Sequence, residues 1–509
     1  MSPAVSTELH VVGRQADRGG TEILICLAVV TLIVHFFVGQ GYGFHRDELA
    51  TLDDSRHLAW GYVAYPPVTP FFGRISLALF GTSLTGFRLF AALAAAGSIL
   101  LTGLMARELG GRRAAELMAA IAATPFCLAA GSLMQYVAFD YFWWVSIAYF
   151  AVQLCKSDDS RWWIPLGTVI GLGMLTKYSI IFCVAGLVIG VFLTRLRCHL
   201  QNKWLWFGVA CSLLIFLPNL IWQVQHHFIS LDFLRHIHDR DVRIGRTKDF
   251  LPDQLKLNLF ALPLALLGLW FYFFSPLGNR WRALGWLYVV PFLLFLVAQG
   301  RGYYLAPAYP VLFAGGAVWT EQLFRTWRPD WSRIARVLAL SALASNILFI
   351  GAIALPLAPI DSPWWKTAAR LNDDLVEEIG WPELVETVAR VRDSLPENDQ
   401  IRLGILAGNY GEAGAINLYG PSYNLPRAIS GTNSYWQRGY GDPPPETLIV
   451  VGMSREFVEH YFEHYEVAAK SWNRYSVANE ETTRHADIFI CRGLRPSWPE
   501  FWKHFQRYG

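Results

Sequence analysis

Five ionisable side chains stand apart in this 509-residue sequence because of where they fall. Asp47 and Glu48 are adjacent in Gly43-Phe44-His45-Arg46-Asp47-Glu48-Leu49, just beyond the end of a long apolar run. Apolar surroundings raise a carboxylate's pKa toward that of a general base. Asp140 is the single charge in the apolar stretch 139–155. Lys177 sits in Leu175-Thr176-Lys177-Tyr178-Ser179, at the hinge between two nearly continuous apolar stretches, and Arg301 sits in Gly300-Arg301-Gly302-Tyr303-Tyr304. Lysine offers a compact point charge to an anion, and arginine can grip a phosphate bidentately. Two carboxylate positions opposite two isolated cations suggest acid/base chemistry beside an anionic lipid headgroup.

Each of these residues also has a plainer role open to it. Asp47 and Glu48 point different ways if helical and need not share one function; together they also fit a solvated interfacial cluster. Asp140 at a helix start caps the helix and favours its dipole, which is compatible with lining a site. Lys177 also fits an interface anchor whose stem snorkels along apolar surface. A further ionisable loop holds His226, His227, Asp232, His236, His238, Asp239 and Asp241. A divalent metal at His236, His238 and Asp239 is compatible with that run, but no HExxH or CxxC anchors one, so the metal stays unassigned.

The elements that position these residues are membrane helices. The chain is 53% hydrophobic and 16% charged, against roughly 25% charged in soluble domains. Residues 356–509 carry 21 acidic and 15 basic side chains, whereas residues 1–355 carry 19 and 28. The tail therefore has the charge density of a soluble domain and the body does not. The sequence divides into a transmembrane body, 1–355, and a water-soluble domain, 356–509. A bilayer-crossing helix needs about 20 mostly apolar residues. Eleven stretches fit within one or two: 22–40, 84–105, 114–131, 139–155, 162–176, 178–194, 204–222, 256–275, 283–299, 304–320 and 335–355. The first is too long, and lacks the cleavage site, for a removable signal peptide, so it reads as a permanent anchor.

The positive-inside rule orients the body. With Arg14 and Arg18 cytoplasmic, the connections holding Arg107, Arg112 and Arg113, then Lys156 and Arg161, then Arg195, Arg197 and Lys203 fall inside. So do Arg280 and Arg282, then Arg325, Arg328, Arg333 and Arg336. An odd number of spans then puts 356–509 outside. Two long outer loops, 41–83 and 223–255, are rich in ionisable and aromatic residues, which directs the chemistry to the outer face. The basic excess is scattered between spans, which excludes a nucleic-acid binder. All seven cysteines but Cys491 lie in or beside spans, so no external pair is available for a disulfide.

In the tail, β-like runs (Ile401–Leu406, Leu448–Gly452, Asp487–Cys491) alternate with helical patterns near 383–394 and 454–464, predicting a small α/β domain. Its Gly411, Gly414 and Gly420 do not form a dinucleotide fingerprint and read as turn and packing glycines.

His45-Arg46-Asp47-Glu48-Leu49, with Arg56-His57-Leu58-Ala59-Trp60-Gly61-Tyr62-Val63 and Tyr65-Pro66-Pro67, resembles the first outer loop of GT-C class membrane glycosyltransferases. The likeness is to the bacterial branch related to protein O-mannosyltransferases and to the aminoarabinose transferase that modifies lipid A. Phe139-Asp140, the run Gly173–Tyr178, Pro218–Gln223 and Gly302–Pro310 agree with it, and Asn409–Ala415 in the tail is also similar to bacterial members.

The resemblance implies a GT-C-like polytopic fold in a bacterial inner membrane. It implies transfer of a sugar, with inversion, from a polyprenyl-phosphate donor to a lipid, glycan or protein acceptor hydroxyl on the extracytoplasmic face. By similarity Asp47 is the general base and Glu48 supports it or holds the acceptor. Asp140, with His45 and Arg46, lines the acceptor cavity. Lys177, Tyr178, Arg301 and Tyr303 hold the donor phosphate. Phosphate is a good leaving group, so the resemblance implies no nucleotide and no obligatory metal. The alternative is a transporter or flippase for lipid-linked sugars. Such proteins usually carry internal repeats with broken helices at matching positions, and no such repeat is seen here.

Overall fold

A computed structural model describes residues 3–157 and 159–509, with side chains from residue 20 onward. Arg14 and Arg18, used above for orientation, lie outside the described side chains. The first part is all helical. After α1 (Pro3–Val38) come two helices of the first long loop, α2 (Arg46–Arg56) and α3 (Val68–Phe80). They are followed by α4 (Leu84–Glu108), α5 (Arg113–Ala130), α6 (Tyr136–Lys156), α7 (Trp163–Met174) and α8 (Ile180–Leu193). Next are α9 (Lys203–Gln225), α10 (Ile229–Arg243), α11 (Phe250–Asn258), α12 (Leu262–Phe273), α13 (Arg282–Val297), α14 (Tyr309–Thr326) and α15 (Pro329–Ala354).

Among the described residues, eight helical stretches are long and apolar enough to cross a membrane. A ninth counts if α8 and the 3-10 turn Arg195–Gln201, bent by 98° to each other, are one span. The chain is a multi-pass membrane protein. The difference from eleven has local causes. Stretches 162–176 and 178–194 become helices of 12 and 14 residues, α7 and α8, separated by a turn that carries Lys177. Stretch 304–320 begins as the 3-10 turn Gly302–Ala308, with Pro307 inside it, before α14 starts at Tyr309.

Burial sorts these helices. In α4, α5 and α6, 61–78% of each apolar window is buried, whereas α1, α9 and α15 bury only 17% and turn their apolar surface outward, as lipid-facing helices do. At the α12–α14 crossing, a Cβ on Gly268 would stand 2.1 Å from the Leu312 carbonyl oxygen and one on Gly316 1.9 Å from that of Leu264. Only glycine permits that approach of two backbones.

The C-terminal region holds helices α16 (Pro363–Leu371), α17 (Trp381–Asp393) and α18 (Glu397–Ile401), then β1 (Leu403–Ala407), α19 (Tyr410–Tyr419), β2 (Ala428–Ser430) and β3 (Thr447–Val451). Further on are β4 (Phe462–Lys470) and β5 (Asp487–Leu494). The five strands form one mixed sheet in the order β2-β1-β3-β5-β4, parallel from β2 to β3 and antiparallel beyond. Every residue of β3 is buried, as its unbroken apolar run Thr-Leu-Ile-Val-Val requires for a central strand. The expected α/β character holds. The helical pattern at 454–464 is a helix only through Tyr461 and passes directly into β4, whose exposed Glu463, Glu466 and Lys470 suit an edge strand.

Candidate active site

The centre of the site is the first turn of α2. His45 caps this helix: its Nδ1 accepts the Asp47 N–H at 3.1 Å, and Glu48 Oε2 accepts the His45 N–H at 3.0 Å, a reciprocal capping box. Asp47 and Glu48 in the first turn also favour the helix dipole. The cap fixes where the two carboxylates point, and they point apart.

Asp47 faces an open, half-buried position. Its Oδ1 accepts the Tyr410 hydroxyl at 2.7 Å and its Oδ2 accepts from Gln135 Nε2 at 3.2 Å. Glu48 turns inward and is fully buried. Its oxygens accept from Arg88 Nε at 2.8 Å and Nη2 at 2.6 Å, and from the Met134 N–H at 2.8 Å. Arg88 also donates to the carbonyls of Gly39 and Gly43 and to Glu378 Oε2. Glu48 therefore ties α2 to α4, to the turn before α6 and, through Arg88, to the chain at 378; its acceptor capacity is largely spent on protein.

Lys177 and Asp140, singled out separately above, are partners: Lys177 Nζ lies 3.4 Å from Asp140 Oδ2. Asp140 is buried and also accepts from Trp144 Nε1 at 3.2 Å and from the Ser179 hydroxyl at 3.3 Å. The ammonium lies over three rings, 5.0 Å from the centroid of Tyr136, 5.7 Å from Tyr303 and 4.6 Å from Tyr304. Arg301 packs its guanidinium over Tyr304 at 5.9 Å and donates from Nε to Asp241 Oδ2 at 2.5 Å. Tyr136 and Tyr303 stand within electrostatic reach of both Asp47 and Arg301. One tyrosine-walled region thus joins Asp47, Lys177, Asp140, Arg301 and Tyr303.

Three expected residues, Tyr178, Arg46 and His45, turn elsewhere. Tyr178, expected beside a donor phosphate, instead packs toward α9, donating to Asn219 Oδ1 at 3.1 Å and accepting from Gln223 Nε2 at 2.6 Å. Adjacent residues in a turn diverge, and Lys177 took the inward direction. Arg46 turns to the C-terminal region, with Nη1 2.8 Å from Glu480 Oε2 and 3.4 Å from Glu377 Oε1. His45 is buried beside the same acidic group, 3.4 Å from Glu377 and 3.7 Å from Asp374. Burial works against its charging, but Asp47, Asp374, Glu377 and Glu378 outweigh that and hold its pKa above the usual imidazole value.

Four residues of this region were given no role in the sequence: Tyr136, Tyr304, Gln135 and Tyr410. Tyr304 follows the singled-out Tyr303, and its signal is aromatic, a ring near the lone cation Arg301; Tyr136 stands four residues before Asp140 with no cation beside it in sequence. Gln135 gave no signal beyond its place in the turn before α6. Among the described residues no group of three or more His, Cys, Asp or Glu side chains is placed to hold a metal ion. His236 instead packs its ring 5.6 Å from that of Tyr508.

The second half of α2 is an anchor. Asp53 and Asp54 are buried and both pair with Arg438. Asp54 Oδ2 also accepts the Tyr65 hydroxyl at 2.6 Å, and Asp53 accepts from Asn417 at 3.2 Å. Burial, only partly opposed by Arg438, pushes the Asp54 carboxyl up to about 6.

Residues 64–222 match the sequence model of the family described as dolichyl-phosphate-mannose-protein mannosyltransferase. Over 168 residues the chain is 30% identical to the undecaprenyl phosphate-alpha-4-amino-4-deoxy-L-arabinose arabinosyl transferase of Pseudomonas aeruginosa (strain UCBPP-PA14). That match spans 31% of this chain and 30% of the curated relative, about a third of its length. The fold is similar throughout to ArnT from Cupriavidus metallidurans. For the structure bound to undecaprenyl phosphate the TM-score is 0.58 at 15% identity, covering 92% of this chain and 98% of that one. For the apo structure it is 0.55 at 15% identity, covering 93% and 98%. The resemblance read from the first loop is borne out, and the architecture is that of ArnT: a polytopic helical body with a small C-terminal strand region.

Proposed function

We propose that this chain is a membrane glycosyltransferase that moves a sugar from a polyprenyl-phosphate donor to an acceptor hydroxyl, with inversion. The observation that carries this reading is the gathering of one open carboxylate, Asp47, and two cations, Lys177 and Arg301, around the rings of Tyr136, Tyr303 and Tyr304. The family match at 64–222 and the whole-chain likeness to an undecaprenyl-phosphate-bound ArnT support it.

The chemistry follows from the groups. Asp47 takes the proton as the acceptor oxygen forms its bond to the sugar's anomeric carbon. The bond from that carbon to the phosphate oxygen breaks on the opposite side, and the phosphate leaves with the electron pair. Lys177 and Arg301 stabilise the charge growing on it. Their carboxylate partners, Asp140 and Asp241, hold each cation in position. The aromatic wall offers ring faces to a sugar. His45 serves as the cap that aims Asp47, and Glu48 as its buried support. No nucleotide takes part, and the acceptor is a lipid, glycan or protein hydroxyl.

We read residues 1–355 as the transferase body and 356–509 as an extracytoplasmic domain, with the amino terminus in the cytoplasm of a bacterial cell and the body in its inner membrane. The positive-inside distribution of Arg and Lys supports that orientation. A polyprenyl donor reaches its enzyme through the bilayer, which a many-span body allows.

The test uses purified protein with polyprenyl-phosphate sugars and candidate acceptors. Asp47→Asn should keep donor binding and lose transfer by at least about a hundredfold. Full transfer by Asp47→Asn would remove Asp47 as the base, and lipid movement without transfer in the wild type would favour a transporter.

A further inference from the structure

We infer that Tyr410 is a positioning residue for Asp47, so that the C-terminal region completes the site formed by the first loop. The inference rests on the reading of Asp47 as the base. Its own support is geometric. The Tyr410 hydroxyl donates to Asp47 Oδ1 at 2.7 Å while Gln135 Nε2 donates to Oδ2 at 3.2 Å. The two donors come from different parts of the chain, the α19 start and the turn before α6. One hydrogen bond per oxygen fixes the carboxylate plane and leaves each oxygen a lone pair for an acceptor hydroxyl.

Tyr410 is itself held in place, which distinguishes it from a passing contact. It is the first residue of α19, directly after Asn409, whose side chain accepts the Glu412 N–H at 2.9 Å while Glu412 accepts the Asn409 N–H at 3.1 Å. The Arg46 guanidinium lies over the Tyr410 ring at 4.9 Å and is pinned from the other side by Glu480. α19 can lie against α2 only because Gly414 has no side chain: a Cβ there would meet the Leu49 backbone at 2.8 Å. The Asn409–Glu412 cap and the close approach at Gly414 thus both serve to deliver the Tyr410 hydroxyl to Asp47.

The chemical effect has a definite sign. Burial, with Asp47 beside it, holds the Tyr410 phenol well above its ordinary pKa, so the hydroxyl stays protonated and acts as the donor. A hydrogen bond donated to the ionised carboxylate favours that form and lowers its pKa. Removing the donor should leave Asp47 more readily protonated and free to rotate.

The experiment follows Asp47 by infrared pH-difference spectra of the full-length protein in lipid nanodiscs. The protonated-carboxyl band missing from Asp47→Asn belongs to Asp47. In Tyr410→Phe, which keeps the ring under Arg46, its midpoint should rise by about one pH unit; Tyr465→Phe, on the exposed edge strand, should leave it unchanged. A 3-fluorotyrosine at position 410, a stronger donor, should move the midpoint down. In transfer assays, Tyr410→Phe should lower kcat about tenfold and shift the acidic limb of kcat/KM upward by the same amount, whereas a merely structural loss would lower the rate without moving the limb. An unchanged midpoint in Tyr410→Phe and with 3-fluorotyrosine overturns the role of Tyr410 and leaves Asp47 as base. Undiminished transfer by Asp47→Asn overturns the base assignment instead, and the infrared shift reports on the Tyr410 contact independently of turnover.

Discussion

Glu48 and Arg88 meet through two parallel hydrogen bonds, 2.8 Å from Nε to Oε1 and 2.6 Å from Nη2 to Oε2, with both side chains buried. This pair, one residue along from the open Asp47, leaves the acidic dipeptide with one open member, the base in the function proposed above, and one buried, paired member. Breaking a buried pair is costly because it strands the other charge, by about 3–5 kcal/mol; Glu378, still bound to Arg88, places the change at the lower end. Glu48→Gln should therefore lower the melting temperature clearly, while the folded fraction keeps kcat within about tenfold of wild type. A loss of a hundredfold or more without destabilisation would make Glu48 a chemical residue.

Lys177 and Asp140 form one unit, so single variants at either position mix two effects. Lys177→Met leaves Asp140 buried with only neutral donors, Trp144 and Ser179. It should lose stability as well as affinity for a polyprenyl phosphate. The double variant Lys177→Met, Asp140→Asn should recover most of the stability but not the affinity, which should stay down about tenfold or more, the worth of a hydrogen bond to a charged group. Thermal melts with and without polyprenyl phosphate separate the two. Wild-type affinity in Lys177→Met would reduce Lys177 to an interface anchor.

Arg438 carries both Asp53 and Asp54 of α2, and these acids are nearly inaccessible to solvent. Arg438→Ala should destabilise the protein by roughly 3–5 kcal/mol and loosen the C-terminal region from α2, read as faster proteolysis after residue 400. Asn417 and Arg427 also reach Asp53 and make the loss partial. Unchanged protease resistance would mean that the apolar contacts between α19 and α2 hold the junction without the ion pairs.

What was legible in the sequence follows from how rare charge is in the body. Asp47, Asp140, Lys177 and Arg301 stood out because an ionisable group at a membrane boundary must have a reason to be there. Their pairing was not legible: Asp140 lies in α6 and Lys177 in the turn between α7 and α8, and only packing shows that they meet. Tyr178 misled because proximity in sequence does not set direction across a turn. Tyr410 is uncharged and 363 residues from Asp47, so no local pattern could join them. In the tail, the buried strands β1, β3 and β5 announced themselves as apolar runs. β4 did not, because its mostly polar, exposed run follows the helix Arg455–Tyr461 without a break and reads as more of the same helix.

Glu412 gives a pH dependence whose sign can be fixed. Its carboxyl is fully buried and accepts the Gly408 and Asn409 N–H groups at 2.9 and 3.1 Å, bonds that a protonated carboxyl can also accept. Burial first, and Glu481 second, push it up to about 8 from an ordinary 4.5. The folded state thus binds this proton more tightly than the unfolded chain does. The stability it contributes is fully present below about pH 4.5 and is lost as pH rises toward 8, where the folded protein must ionise too. Melting temperature should fall between pH 5.5 and 8.5 in the wild type, and fall less in Glu412→Gln, which keeps an acceptor oxygen and has no proton to lose. Because Gln can also close the capping box of the helix that presents Tyr410, the infrared midpoint of Asp47 in Glu412→Gln should stay at its wild-type value. Equal slopes of melting temperature against pH in the two proteins would show that Glu412 is already ionised in the folded state at pH 5.5.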